Sequence, residues 1–85
     1  MPTSSRDMRA KAVSLLGHVG YDIDDINRET NSLSQVIDTL VTAKEDAQWA
    51  GDTDRVNRIK YQLMLKCTMR DVLKKRRNTI MRETK

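Results

Sequence analysis

Residues 23–47 read IDDINRETNSLSQVIDTLVTAKEDA. Mostly apolar positions recur along this stretch at steps of three and four residues, which is the heptad pattern of helices packed side by side. Val36 and Val41 lie beside these positions and widen the apolar stripe, as a globular bundle requires. The pattern therefore predicts a long helix that buries one face. Its core positions are Ile23, Ile26, Thr30, Leu33, Ile37, Leu40, Lys44 and Ala47.

Turn signals on either side of this stretch divide the chain into three predicted helices. Asp22 and Asp25 have the N-cap and N3 spacing that favours a helix start. Gly51 predicts a helix end and Asp52 or Thr53 a new cap, so the two long helices form an antiparallel hairpin. We predict a single all-α domain over residues 1–85. Its helices span about 5–18, 22–50 and 53–82, and the last few residues fray.

The third predicted helix is apolar on two sides, and such a helix needs two partners. The second helix of the same chain can supply one. Another copy of the protein is the simplest cover for the other side, which predicts a homodimeric helical bundle. The alternative is a monomer in which the first helix covers it. The first helix has its apolar stripe at Met8, Ala12, Leu15, Leu16 and Val19. The two stripes of the third helix are Val56, Ile59, Leu63, Cys67 and Tyr61, Leu65, Met69, Val72.

Charge is divided unequally along the chain, whose formal net charge is +4. Residues 52–85 contain eleven Lys/Arg and four Asp/Glu, whereas residues 1–51 contain five and eight. Cations concentrated on one helical segment are typical of a protein that binds a polyanion. Cations also favour a helix C-terminus and are common on surface helices, which is the alternative explanation. It fits less well, because only Asp71 and Glu83 interrupt the cations of residues 55–85.

The cations of the third helix are not evenly scattered. Lys66, Arg70 and Arg77 follow each other at steps of four and seven, so they share one face. Lys74 lies beside that face, and Arg55 falls near the same line. Two further basic residues, included in the list below, lie on other sides of the helix. The candidate binding residues from the charge pattern are Arg55, Arg58, Lys60, Lys66, Arg70, Lys74 and Arg77.

The motifs that the basic segment lacks limit which kind of polyanion it can bind. It has no zinc-finger spacing, no basic region followed by a zipper and no helix-turn-helix. Single-strand binders stack bases on aromatic side chains, and this segment offers only Tyr61. A long basic helix without stacking groups suits a duplex that is read by shape. These arguments do not separate RNA from DNA.

Residues 65–77, LKCTMRDVLKKRR, resemble part of the small RNA-silencing suppressors of insect nodaviruses, which are helical homodimers that lie along double-stranded RNA. The RNA-facing helix of that family carries a cysteine, a basic residue one turn later and an arginine about ten residues beyond the cysteine. Cys67, Arg70 and Arg77 fall at those spacings. The resemblance implies that Arg70 and Arg77 contact the RNA backbone and that Cys67 lies near the helix surface.

We therefore expect a viral suppressor that binds duplex RNA without sequence preference and shields it in the host cytoplasm, with host silencing proteins as further partners. We expect no enzyme, because the sequence offers no nucleophile constellation, carboxylate dyad or glycine-rich phosphate loop. We also expect no cofactor, no metal and no membrane segment.

A second hypothesis belongs to another class, a helical hairpin for protein interaction or secretion. Trp49, Ala50 and Gly51 stand in the turn between the long helices, and WXG-type secreted hairpins have a similar turn. The simpler interpretation is that Trp49 covers the end of the bundle and Gly51 caps a helix.

Overall fold

A computed structural model describes residues 5–17 and 22–83 of the chain. The described part contains three helices and no strand: α1 Ser5–Leu16, α2 Ile23–Trp49 and α3 Thr53–Glu83. The predicted all-α class and the three helices are confirmed. α1 ends before the predicted His18 because Gly17 adopts a φ of +52°, which a helix does not continue. His18 itself lies outside the described residues, as do Thr84 and Lys85 of the C-terminus that we predicted to fray.

The ends of the two long helices are fixed by the predicted capping residues. The Asp22 side chain accepts a hydrogen bond of 2.9 Å from the backbone N–H of Asp24. Gly51 has a φ of +72°, a conformation that glycine adopts without steric cost. The Asp52 carboxylate accepts from the N–H of Arg55 at 3.2 Å. This tight turn folds α3 back along α2, as the hairpin prediction required.

One face of α2 packs on α3, and it is the face that the spacing predicts. All eight predicted core positions are buried or half-buried. Val36 and Val41 are each 39% exposed, so the expectation that they widen the buried stripe is wrong. α2 therefore packs through a narrow seam, and the two valines lie at its solvent edges.

Both predicted stripes of α3 are covered within one chain except at Cys67, which is half-buried on the far side of the helix. Near the turn, Val56 and Ile59 form a small cluster with Ala47. Further along, the second stripe joins the main cluster, in which α1 takes part. Because α1 covers the second stripe within the chain, this stripe no longer requires a second copy, and the homodimer stays a prediction. The main cluster contains Met8, Ala12, Leu16, Ile26, Leu33, Leu65, Met69, Val72 and Leu73.

Leu15 and Trp49, which we expected to pack against the bundle, are exposed. Leu15 is 57% exposed, because the buried residues of α1 (Met8, Ala12 and Leu16) recur every four residues and Leu15 lies about 100° around the helix from Leu16. Val19 lies outside the described residues. Trp49 is 92% exposed, so the expectation that it covers the end of the bundle is wrong. Trp49 follows the buried Ala47 by two residues, which is about 200° around the helix. The indole is therefore on the opposite side of α2 from the seam.

Candidate nucleic-acid interface

The two long helices carry opposite net charge. α2 has six Asp/Glu and two Lys/Arg, whereas α3 has three Asp/Glu and ten Lys/Arg. The helices lie side by side, yet no ion pair joins α2 to α3 within the described residues. The ion pair formed by Arg28 and Asp25, at 3.6 Å, lies entirely on α2. The positive charge of α3 is thus not neutralised by direct contact with the acidic helix.

The face of α3 that points away from both neighbours carries a line of mostly polar residues. They recur at steps of four and three residues, so they lie on one side of the helix. We call this line the outer ridge. All its members are exposed except Cys67, which is half-buried. Lys60 and Lys74 are separated by 14 residues, or about 21 Å along the axis. The outer ridge consists of Lys60, Met64, Cys67, Asp71, Lys74 and Asn78.

Three of the predicted contact residues lie at the edge of this surface instead of its centre. Lys66, Arg70 and Arg77 are half-buried and continue the α3 stripe that packs on α2. The Nε atoms of Arg70 and Arg77 are fully enclosed and have no hydrogen-bond partner. Both side chains nevertheless stay partly exposed, as expected for long cationic side chains that bury their stems and keep a charged end near water. We call Arg70 and Arg77 the seam arginines.

The remaining predicted residues lie towards the turn end of α3. Arg55 and Arg58 are exposed, and Arg58 is on the side of the helix that α1 covers further along. The structure therefore brings Lys60, Cys67 and Lys74 onto one line. It places the seam arginines and Lys66 along the edge of that line.

Two exposed cations next to the outer ridge, Lys75 and Arg82, were missed in the sequence-based selection. Each follows a ridge residue, Asp71 or Asn78, by four positions and therefore lies beside the ridge. Only the position of α1 leaves that side accessible. The run of four cations at residues 74–77 was the available signal.

Tyr61, the aromatic residue of α3, already has contacts within the chain. The Lys11 ammonium donates a hydrogen bond to the Tyr61 hydroxyl at 2.7 Å and lies 5.0 Å from the centre of its ring. The tyrosine is also packed against the main cluster. It is therefore poorly placed to stack on an unpaired base.

No protein-family model matches the chain, and neither the curated proteins nor the solved structures contain a match. Across residues 5–17 and 22–83, no helix is both long and apolar enough to span a bilayer. The same residues contain no group of three or more His, Cys, Asp or Glu side chains that could hold a metal ion.

Proposed function

We propose that this protein binds double-stranded RNA without sequence preference, through the outer ridge and the seam arginines of α3. The observation that carries the proposal is the excess of ten cations over three anions on α3, left without ion pairs from the acidic helix beside it. Phosphate contacts add, and each releases condensed counterions, so such a surface gains affinity from any regular polyanion.

A duplex suits this surface better than a single strand. α3 is 31 residues long, or about 46 Å, so its cations are spread along one axis. Its aromatic residue is held by Lys11 and offers no stacking platform. A duplex presents phosphates in regular rows that such a helix can follow, and double-stranded RNA is recognised largely by shape and backbone. The choice of RNA over DNA, and the role of a viral suppressor that shields duplex RNA in the host cytoplasm, rest on the resemblance of residues 65–77.

A homodimer is part of the proposal, because a second copy would double the number of phosphate contacts. The shape of the chain is compatible with this: its extents are 52 × 27 × 17 Å. Sedimentation at two protein concentrations tests the dimer.

Gel shifts at fixed salt test the ligand, with duplex RNA, duplex DNA and each single strand as probes. We expect retention of duplex RNA and weaker retention of single strands. The double variant R70Q/R77Q should weaken binding while the circular dichroism spectrum stays helical. The double variant R28Q/K44Q is the matched control, because it removes the same charge from α2. Unchanged affinity of R70Q/R77Q would show that the seam arginines do not contact the ligand.

The exposure of Trp49 favours the second candidate, a hairpin that binds another protein. Exposed aromatic residues are frequent anchors of protein interfaces. This candidate predicts no retention of any nucleic acid at moderate salt, so the same gel shifts distinguish the two.

A further inference from the structure

The turn end of α2 presents an aromatic side chain surrounded by negative charge. Trp49 is 92% exposed, and Glu45 and Asp46 precede it by four and three residues, so they are its neighbours on the helix surface. Both carboxylates are exposed, as is Asp52 in the turn. A shallow depression at this site is lined by Glu45, Gln48 and Trp49. We call this surface the acidic tip.

A groove of about 440 Å³ lies between α1 and the last turns of α3. Its apolar lining includes Val13, which is 40% exposed, and the buried Val72. Its cations come from both helices, with Glu83 as the single carboxylate. The volume is in the range of natural ligand sites. The groove is lined by Arg9, Val13, Val72, Lys75, Arg76, Thr79, Ile80 and Glu83.

We propose that the acidic tip of one copy docks into this groove of a second copy. The apolar lining can accept the indole of Trp49, which would otherwise stay in water. Arg9 and Lys75 would face Glu45 and Asp46, so the charges of the two surfaces are complementary. Cations beside an indole add a cation–π attraction. One contact thus accounts for both the exposed Trp49 and the open groove beside α1.

The contact has to form between molecules. Trp49 lies just before the start of α3, whereas the α3 part of the groove begins at Val72, 19 residues after Thr53. That is about 28 Å along the helix axis, beyond the reach of any side chain. Because the tip and the groove are different surfaces, the contact is head-to-tail. Each added copy brings a new tip, so the association is open-ended unless it closes into a ring. This inference does not depend on the proposed function, and its test contains no RNA.

Trp49 is the single tryptophan of the chain, so its fluorescence reports docking directly. From about 5 µM to about 1 mM protein, a range that covers micromolar to millimolar Kd values, we expect a blue shift of the emission maximum and several-fold weaker quenching by acrylamide. V13D should abolish both changes, because it places a carboxylate in the groove that repels the acidic tip. V36D is the matched control: Val36 is exposed to the same degree on α2, and its variant should behave like the unmodified protein. Circular dichroism checks that both variants stay helical.

A mixing experiment distinguishes this contact from a symmetric one between two tips. W49A keeps its groove and emits no tryptophan fluorescence, whereas V13D keeps its tryptophan and has a blocked groove. Adding W49A in excess to V13D should restore the blue shift, with assembly ending at pairs. Emission that stays constant in this mixture overturns the proposal. A concentration-dependent shift in V13D alone also overturns it, because that result would place two tips against each other.

Discussion

The seam arginines can be tested with a substitution that keeps their charge and removes the enclosed Nε atoms. In arginine the fourth side-chain atom from Cα is Nε, and in lysine it is a methylene group. R70K/R77K therefore replaces two enclosed, unpartnered N–H groups by apolar groups and leaves the net charge unchanged. A buried donor without a partner costs about 1–3 kcal/mol. Both side chains are half-buried, so we use the lower end of this range and expect the double variant to gain about 1–2 kcal/mol.

Urea unfolding followed by circular dichroism at 25 °C measures this gain. Thermal unfolding gives a second measure: a stabilisation of about 1 kcal/mol raises the Tm of a domain of this size by about 4–8 °C. K74R is the matched control, because Lys74 is exposed and the same exchange there should change stability by less than about 0.5 kcal/mol. If R70K/R77K is instead less stable than the unmodified protein by about 1 kcal/mol or more, the enclosed Nε atoms contribute to the native state, and the reasoning is refuted.

R70K/R77K also distinguishes the contribution of the seam arginines to protein stability from their contribution to RNA binding. Lysine keeps the charge but lacks the planar fork that binds phosphate in a bidentate manner. If the seam arginines contact RNA, R70K/R77K should be more stable and bind duplex RNA several-fold more weakly. Equal or tighter binding by the stabilised variant would remove the seam arginines from the interface.

Three further predictions concern the ridge, the core and a cap. K60Q/K74Q should make the salt dependence of log K shallower by about two units for each subunit in the complex, measured by fluorescence anisotropy of labelled duplex RNA, whereas R28Q should leave the slope unchanged. L73A should lose about 3–5 kcal/mol in urea unfolding, because Leu73 is fully buried; a loss below about 1 kcal/mol would contradict the packing described. D22A should lose about 1 kcal/mol in the same assay, through loss of the N-cap of α2.

The sequence by itself determined the helices, their caps and which residues share a face. These features depend on short-range rules: a helix repeats every 3.6 residues, and a capping side chain bonds to the backbone two or three residues away. The seam of α2 and both stripes of α3 were therefore predictable. The position of Trp49 was predictable too, since its two-residue step from Ala47 already excludes it from the seam.

Only the tertiary structure decided what covers each face. Periodicity shows that Leu65 and Met69 must be buried against another helix. The sequence pattern does not decide whether that helix is α1 or belongs to a second copy. The same ambiguity affected the candidate site: Arg70 and Lys74 both appear cationic and helical in sequence. The packing of α2 and α1 encloses part of Arg70 and leaves Lys74 on the outer ridge. The physical reason is that burial depends on contacts between residues far apart in the chain, which no local pattern specifies.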